Sequence, residues 1–365
     1  MDFPDTTDLS TALEMAQAEQ RLAAAETPTR LCEDWRFGRP HKHAAELVAL
    51  MEQADNRGSV TVTGADDAAD AIDKDDRAEE LLLRTIGSDK ILALHLAHFG
   101  KGAVLFLEKE YSAPITITYE TDGVFLPTTL IIAAPGAKAR IIEKHITHGA
   151  GAIVCTRLIH AEGGADIAVE LVESGSGESR AMNITNIRSV AATVRHLTRH
   201  SKHAWAREET VAEILHSAPD SPADIQLYSA NRLSGHEVLD QHTHQIHAVG
   251  HSTSNLLYKN VVDEHATATF AGNIRVEQGA HHTDAYQANR NMLLSEDATV
   301  HSLPGLEILA DHVRCSHGSA SAPMDEEQLF YLLSRGIPRH EAQLLVAAGF
   351  LDDAVAKFRG ETNDK

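Results

Sequence analysis

The spacing of apolar and polar residues changes twice along this chain and divides it into three stretches. Residues 12–26 are rich in Ala, Leu, Glu and Gln, Thr11 and Glu14 have capping-box spacing, and Pro28 stops the run, so a helix is predicted there. The charged, Ala-rich segment 66–84 reads as a second helix with one exposed face. From about residue 103 the period becomes two. Ile115, Ile117 and Tyr119 alternate with Thr116 and Thr118 between Pro114 and Gly123, the pattern of a half-buried strand. Short apolar segments follow at Leu130, Ile131 and Ile132, at Ile141 and Ile142, at Ile153 and Val154, and at Ile167, Val169 and Leu171. Small-residue turns separate them at Pro135-Gly136-Ala137 and Gly163-Gly164-Ala165, and similar segments continue to Leu294.

No amphipathic helix interrupts residues 103–322, which argues against alternating βα units. Many short strands with small-residue turns fit a barrel, a sandwich or a stacked β-solenoid. Irregular spacing and segments apolar on successive residues favour the solenoid, although no fixed repeat is visible. Helix returns at the C-terminus. Asp325 is placed to cap a helix bearing Leu329, Leu332 and Leu333, and Gly336 is placed to end it. Pro338 opens a second helix with Ala342, Leu345 and Val346 on one face before Gly349. The expected organisation is a mainly helical region over 1–102, a β-solenoid core over 103–322 and a helical region over 323–365.

Charge narrows the function. The 53 acidic and 32 basic side chains give a net charge of -21, which disfavours binding to phosphate backbones or anionic lipid. No apolar run approaches the ~20 residues of a membrane span, and the first residues lack the basic and apolar regions of a signal peptide. Cys32, Cys155 and Cys315 are too few and too scattered for a disulfide framework. A cytoplasmic protein is expected.

The chain carries 23 histidines, crowded between His196 and His317. No P-loop, complete dinucleotide fingerprint or nucleophile elbow is present; Gly175-Ser176-Gly177 reads as a turn, and His236-Glu237 lacks the second histidine of a zincin helix. His242 and His244, two apart on a strand, share a face and form either a metal pair or a hydrogen-bonded ladder. Cys315 and His317 in Cys-Ser-His-Gly also share a face, and thiolate with imidazole suits iron or zinc. Cys32 and Cys155 have no such neighbours and read as structural. Phe330, Tyr331 and Leu333, beside Arg335, Gly336 and Ile337, form either a helix core or a docking face.

Read together, these segments resemble the SufB/SufD family. The stretch Val313-Arg314-Cys315-Ser316-His317-Gly318, then Asp325 to Leu332 and Ser334-Arg335-Gly336-Ile337, is similar to its C-terminal signature. Leu303-Pro304-Gly305-Leu306-Glu307-Ile308, Phe270 to Val276, Thr283-Asp284-Ala285 and Asn289 to Ser295 resemble it too, as does Thr27 to Phe37 with Pro28-Thr29 and Trp35-Arg36-Phe37. The match is dense after Gln241 and sparse between residues 55 and 223. Cys-Ser-His-Gly resembles the SufD type, whereas SufB-type proteins carry a Glu-His-Glu-Ala-like segment there.

The resemblance implies a right-handed parallel β-helix flanked by helical regions, and a non-catalytic subunit of an iron–sulfur cluster assembly complex. It further implies a SufB-type paralogue and a SufC-type ABC ATPase as partners. A transient cluster would form at the paralogue interface on Cys315 and His317, with no cofactor held stably. The ATPase would dock on Phe330, Tyr331, Leu333, Arg335, Gly336 and Ile337. Two other possibilities stand beside this one. One is a metal-dependent enzyme on a β-solenoid using His242, His244 and a carboxylate such as Asp240. The other is a homodimer that does the scaffold's work alone.

Overall fold

The computed structural model describes residues 40–52, 54, 56–64, 69–70, 95 and 101–361. A helix, Pro40–Met51, precedes nineteen strands: β1 (Ser59–Thr63), β2 (Ala69–Asp70), β3 (Lys101–Leu107), β4 (Ile115–Thr121), β5 (Val124–Phe125), β6 (Pro127–Ala133), β7 (Lys138–Thr147), β8 (Ala152–Ala161), β9 (Asp166–Ser174), β10 (Arg180–Val190), β11 (Thr193–Ser201), β12 (Trp205–His216), β13 (Ala223–Leu233), β14 (Val238–His247), β15 (Ser252–Val262), β16 (Thr267–Val276), β17 (Asp284–Leu293), β18 (Thr299–Ile308) and β19 (Arg314–Pro323). Helices Glu326–Ser334 and Arg339–Arg359 follow.

The strands form two sheets. One runs β1-β4-β7-β9-β11-β13-β15-β17-β19, the other β18-β16-β14-β12-β10-β8-β6-β3-β2. From β6 onward every pairing is parallel, and from β8 successive strands alternate between the sheets, so the chain winds as a β-solenoid of about 8 turns. The expected fold class is what the chain adopts. No fixed repeat shows in the sequence because coil lengths differ. Asp166, Thr193, Asp224, Thr253, Asp284 and Arg314 occupy one register column at unequal spacing.

Inward positions stack in columns of like residues between the sheets, which gives the coil its apolar core. Ile115, Ile141 and Val169 stand in register, as do Ile167, Val194 and Ile225, all fully buried. Segments apolar on consecutive residues are covered on both faces. The Pro40–Met51 helix lays Leu47, Val48 and Met51 over Ala152, Val154, Met182, Ile184 and Trp205, while Ile153 and Cys155 point inward. The predicted turns hold Gly136 and Gly164 in the left-handed region, at φ 77° and 72°, where a side chain would be strained.

Two expectations change, and one is not tested. Residues 12–26 lie outside the described residues. Of 66–84 only Ala69–Asp70 is described, and it is strand, as is Ser59–Thr63, whose alternating β-branched residues pair with β4. Gly349 does not end the last helix, which runs through it to the left-handed Gly360 (φ 71°). Phe350 and Leu351 beyond Gly349 join the cluster around Val261 and Leu329, and Ala354 and Phe358 pack on Leu197, Tyr228 and Ala230. That burial outweighs the ~1 kcal/mol a mid-helix glycine costs.

Candidate functional site

β19 and β18 are the end strands of the two sheets, so the solenoid finishes on a coil that no described strand covers. Cys315 pairs with Ala285 and His317 with Gln287, both buried. The two candidate ligands therefore continue inward-facing columns at the point where those columns reach solvent. Cys315 is half-buried against Ile274, Ala285 and Val313, and His317 is exposed. Burial, then the negative charge of Asp284, pushes the Cys315 thiol up, so it stays protonated at neutral pH. Leu306, Ile308 and Leu309 stand exposed on the same last coil.

The C-terminal helices close the chain as the spacing predicts. Asp325 Oδ1 accepts the Glu327 N–H at 2.9 Å, and Gly336 turns at φ 82°. The six candidate docking residues separate into two groups. Phe330 (72% exposed) and Tyr331 (58%) face solvent, the Arg335 guanidinium lies 5.2 Å over the Tyr331 ring, and Gly336 is exposed. Leu333 and Ile337 instead pack with Leu329, Ala342 and Val346 in the small core under the helices. Leu345, expected on the packed face of the last helix, is exposed.

Asp240, His242 and His244 share the outer face of β14, as their alternation requires. His242 Nε2 lies 2.9 Å from Asp240 Oδ1 and 3.2 Å from Arg207 Nη1, and Arg207 also binds Asp240 and Glu209. A guanidinium thus fills the space beside that nitrogen. Among the described residues this pair gathers no set of three ligand atoms within mutual reach.

The interior holds chemistry that the sequence reading missed. In the middle coils the inward columns turn polar while staying fully buried. Glu143 receives Arg157 Nε–H at 2.9 Å on one oxygen; on the other it meets Arg157 Nη2 and, at 2.7 Å, His145 Nε2. His145 Nδ1 lies 2.8 Å from Glu173 Oε1, and the Cys155 thiol donates to Glu143 at 3.6 Å. His200 bridges Glu173 and Glu208, each at 2.6 Å. Gln241 donates to Glu208 and Ser229, and Asn231, Asn260, Asn291 and Ser321 continue the hydrogen bonds to β19. Burial alone would push His145 and His200 down. Bonds to Cys155, Glu143 and Glu173 carry His145 well above its ordinary value, and Glu208 with Glu173 hold His200 at about 10. Burial also opposes ionisation of Glu143 and Glu173, but Arg157 and His200 respectively keep both ionised. The signal was present as inward-parity polar residues, Glu143 and His145 after Ile141 and Cys155 and Arg157 after Ile153.

Among the described residues no helix is long and apolar enough to cross a membrane. Residues 116–350 match the family described as SUF system FeS cluster assembly, SufBD core domain. The chain is 40% identical over 118 residues to the iron–sulfur cluster assembly SufBD family protein slr0076 of Synechocystis, covering 32% of this chain and 26% of that one. It is 40% identical over 125 residues to the iron–sulfur cluster assembly protein SufD of Escherichia coli (34% and 30%). With the SufD of Bacillus subtilis it is 27% identical over 282 residues (74% and 63%). The matches thus span between a quarter and two thirds of these relatives' own lengths. With the core-domain match covering more than half of the chain, and relatives named SufD beside it, the chain belongs to the SufBD family.

Proposed function

We propose that the chain is a non-catalytic, SufD-like scaffold for iron–sulfur cluster assembly, working in the cytoplasm with a SufB-type paralogue and an ABC-type ATPase. The observation that carries this reading is the uncovered last coil, which presents Cys315 and His317 side by side and ends both sheets on open edges. Open edges beside exposed Leu306, Ile308 and Leu309 suit a second solenoid that continues the stack. One thiolate and one imidazole are two of the four ligands a cluster takes, so a partner must supply the rest, and a cluster shared this way can leave when the interface opens. The cluster is cargo here. Exposed Phe330 and Tyr331, backed by Arg335, form the apolar patch offered to the ATPase, with Leu333 and Ile337 supporting it from beneath.

Anaerobic affinity capture of the tagged chain from its native cell, with partners identified by mass spectrometry, tests the reading. Recovery of a SufB-like paralogue and an ABC-type ATPase is expected. Recovery of the chain as a homodimer with neither partner would overturn it. An isolated chain that turns over a substrate with metal on His242 and His244 would do so equally.

A further inference from the structure

The buried cluster in the middle coils lies far along the chain from Cys315 and His317 and is not used by the scaffold reading. Its ligand geometry is specific. Glu143, His145 and Cys155 each aim one donor atom into a common space, with all three atoms within 4.8 Å of one another and all three residues completely buried. Parallel register creates the convergence. Glu143 and His145 are inward neighbours on β7, and Cys155 is inward on β8 in the facing sheet, so the three reach across the interior toward one point.

A second observation concerns the ring itself. His145 Nδ1 is engaged by Glu173 at 2.8 Å, which fixes the imidazole with Nε2 turned toward Glu143 and Cys155. A carboxylate behind the far nitrogen of a histidine is the arrangement that orients metal-ligating imidazoles. Asn183 Nδ2–H donates to the same Glu173 oxygen at 2.7 Å and holds it in place. Thr129 Oγ1, 4.0 Å from Cys155 Sγ, lines the other side of the thiol.

We infer that Glu143, His145 and Cys155 form an internal site for a divalent transition metal of the zinc or ferrous iron class, oriented by Glu173. Sulfur, nitrogen and oxygen donors at tetrahedral lengths of about 2.0–2.3 Å would draw the longest pair roughly 1 Å closer, within the reach of side-chain rotation. The exchange balances. The dication forms bonds to Sγ, Nε2 and one carboxylate oxygen, while one proton leaves the Cys155 thiol and one leaves His145 Nε2. No oxidant or reductant is needed, and the net charge of the cavity is unchanged. Arg157 keeps its Nε–H on the other Glu143 oxygen as counter-ion, while its Nη2 gives up to the metal the oxygen that also meets His145 and Cys155. Enclosure by both sheets means that the ion enters as the coils close, so the site is part of folding rather than a surface exchange point.

The test is cobalt substitution of the full chain, unfolded and refolded anaerobically with cobalt(II), after which metal is counted per chain and the near-ultraviolet thiolate-to-cobalt absorption recorded. In the Cys32→Ser/Cys315→Ser variant, Cys155 is the only thiol. This variant is expected to bind one cobalt per chain with the charge-transfer band, and the triple variant that adds Cys155→Ser to it to lose the band. A refolded double variant without the band would overturn the site, and so would a band that persists when Cys155→Ser is added to it. Cobalt bound without any thiolate band, as surface histidines would bind it, counts against the site as well. The double variant decides the matter even if the triple variant fails to fold. Capture of partners plays no part in this readout, so its failure and that of the scaffold reading are distinguishable.

Discussion

His196 stands in a column of aliphatic side chains, with Val169 on one side in register and Leu227 on the other. It is buried, and among the described residues neither of its ring nitrogens has a hydrogen-bond partner. Burial first, then the positive charge of Arg157, pushes it down to about 3, so it is neutral in the folded protein. A histidine in the unfolded chain titrates near 6.5. Above that value neither state binds the proton. As pH falls below it, the unfolded chain takes up a proton that folded His196 refuses, and stability is lost progressively until about pH 3. At pH 5 the gap is about 1.5 pH units, which is about 2 kcal/mol at 1.36 kcal/mol per unit. His196→Leu removes this loss and continues the aliphatic column. The variant is expected to match or exceed the wild type at pH 7, because two unpartnered buried nitrogens are removed. Its advantage should grow by about 2 kcal/mol at pH 5. Urea unfolding of both proteins at the two pH values, followed by circular dichroism, gives the difference of differences. An advantage that is the same at pH 5 as at pH 7 would refute the reasoning, because it would mean that His196 titrates alike in both states.

Other consequences follow from the same geometry. His200, held at about 10 by Glu208 and Glu173, contributes fully below pH 6.5 and loses that contribution as pH rises through 10. His200 is therefore expected to account for about 3 kcal/mol of the stability lost between pH 7 and 9 in thermal or urea unfolding, so the loss in His200→Gln should be smaller by about that amount. Arg157→Met strands Glu143 as a buried charge and is expected to destabilise the chain by about 3–5 kcal/mol in the same assay, far more than Arg335→Met at the surface. Phe330→Ala with Tyr331→Ala is expected to leave the unfolding midpoint unchanged while lowering ATPase capture at least tenfold. Leu333→Glu is expected to loosen the C-terminal helices themselves, visible as faster hydrogen exchange from Glu326–Ser334.

The local elements were more legible than their arrangement. Ile115, Ile117 and Tyr119 announce their strand because one face is buried and the other wet, and the Asp325 cap and Gly336 stop follow from backbone chemistry alone. The repeat was hidden because turns absorb different numbers of residues per coil while the strands keep register, so the column from Asp166 to Arg314 has no constant period. Gly349 misled because propensity is local and the packing of Phe350 and Phe358 is not. At the site, the i, i+2 spacing of Cys315 and His317 put them on one face, but only the topology shows that this face is the uncovered end of a column. Cys155 looked isolated because its neighbours Glu143, His145 and Glu173 come from other strands, all of them in the opposite sheet. Leu333 differs from Phe330 and Tyr331 only by the rotation of a short helix, and Ile337 reaches the same core from the turn after Gly336.

The central claim is that cargo forms on the last coil. The most direct measurement is iron and acid-labile sulfide in the anaerobically isolated complex, wild type against Cys315→Ser/His317→Ala. The account predicts that both forms carry the paralogue and the ATPase and that only the wild type carries iron with sulfide. A double variant that retains both at wild-type levels would contradict it and place the cluster elsewhere.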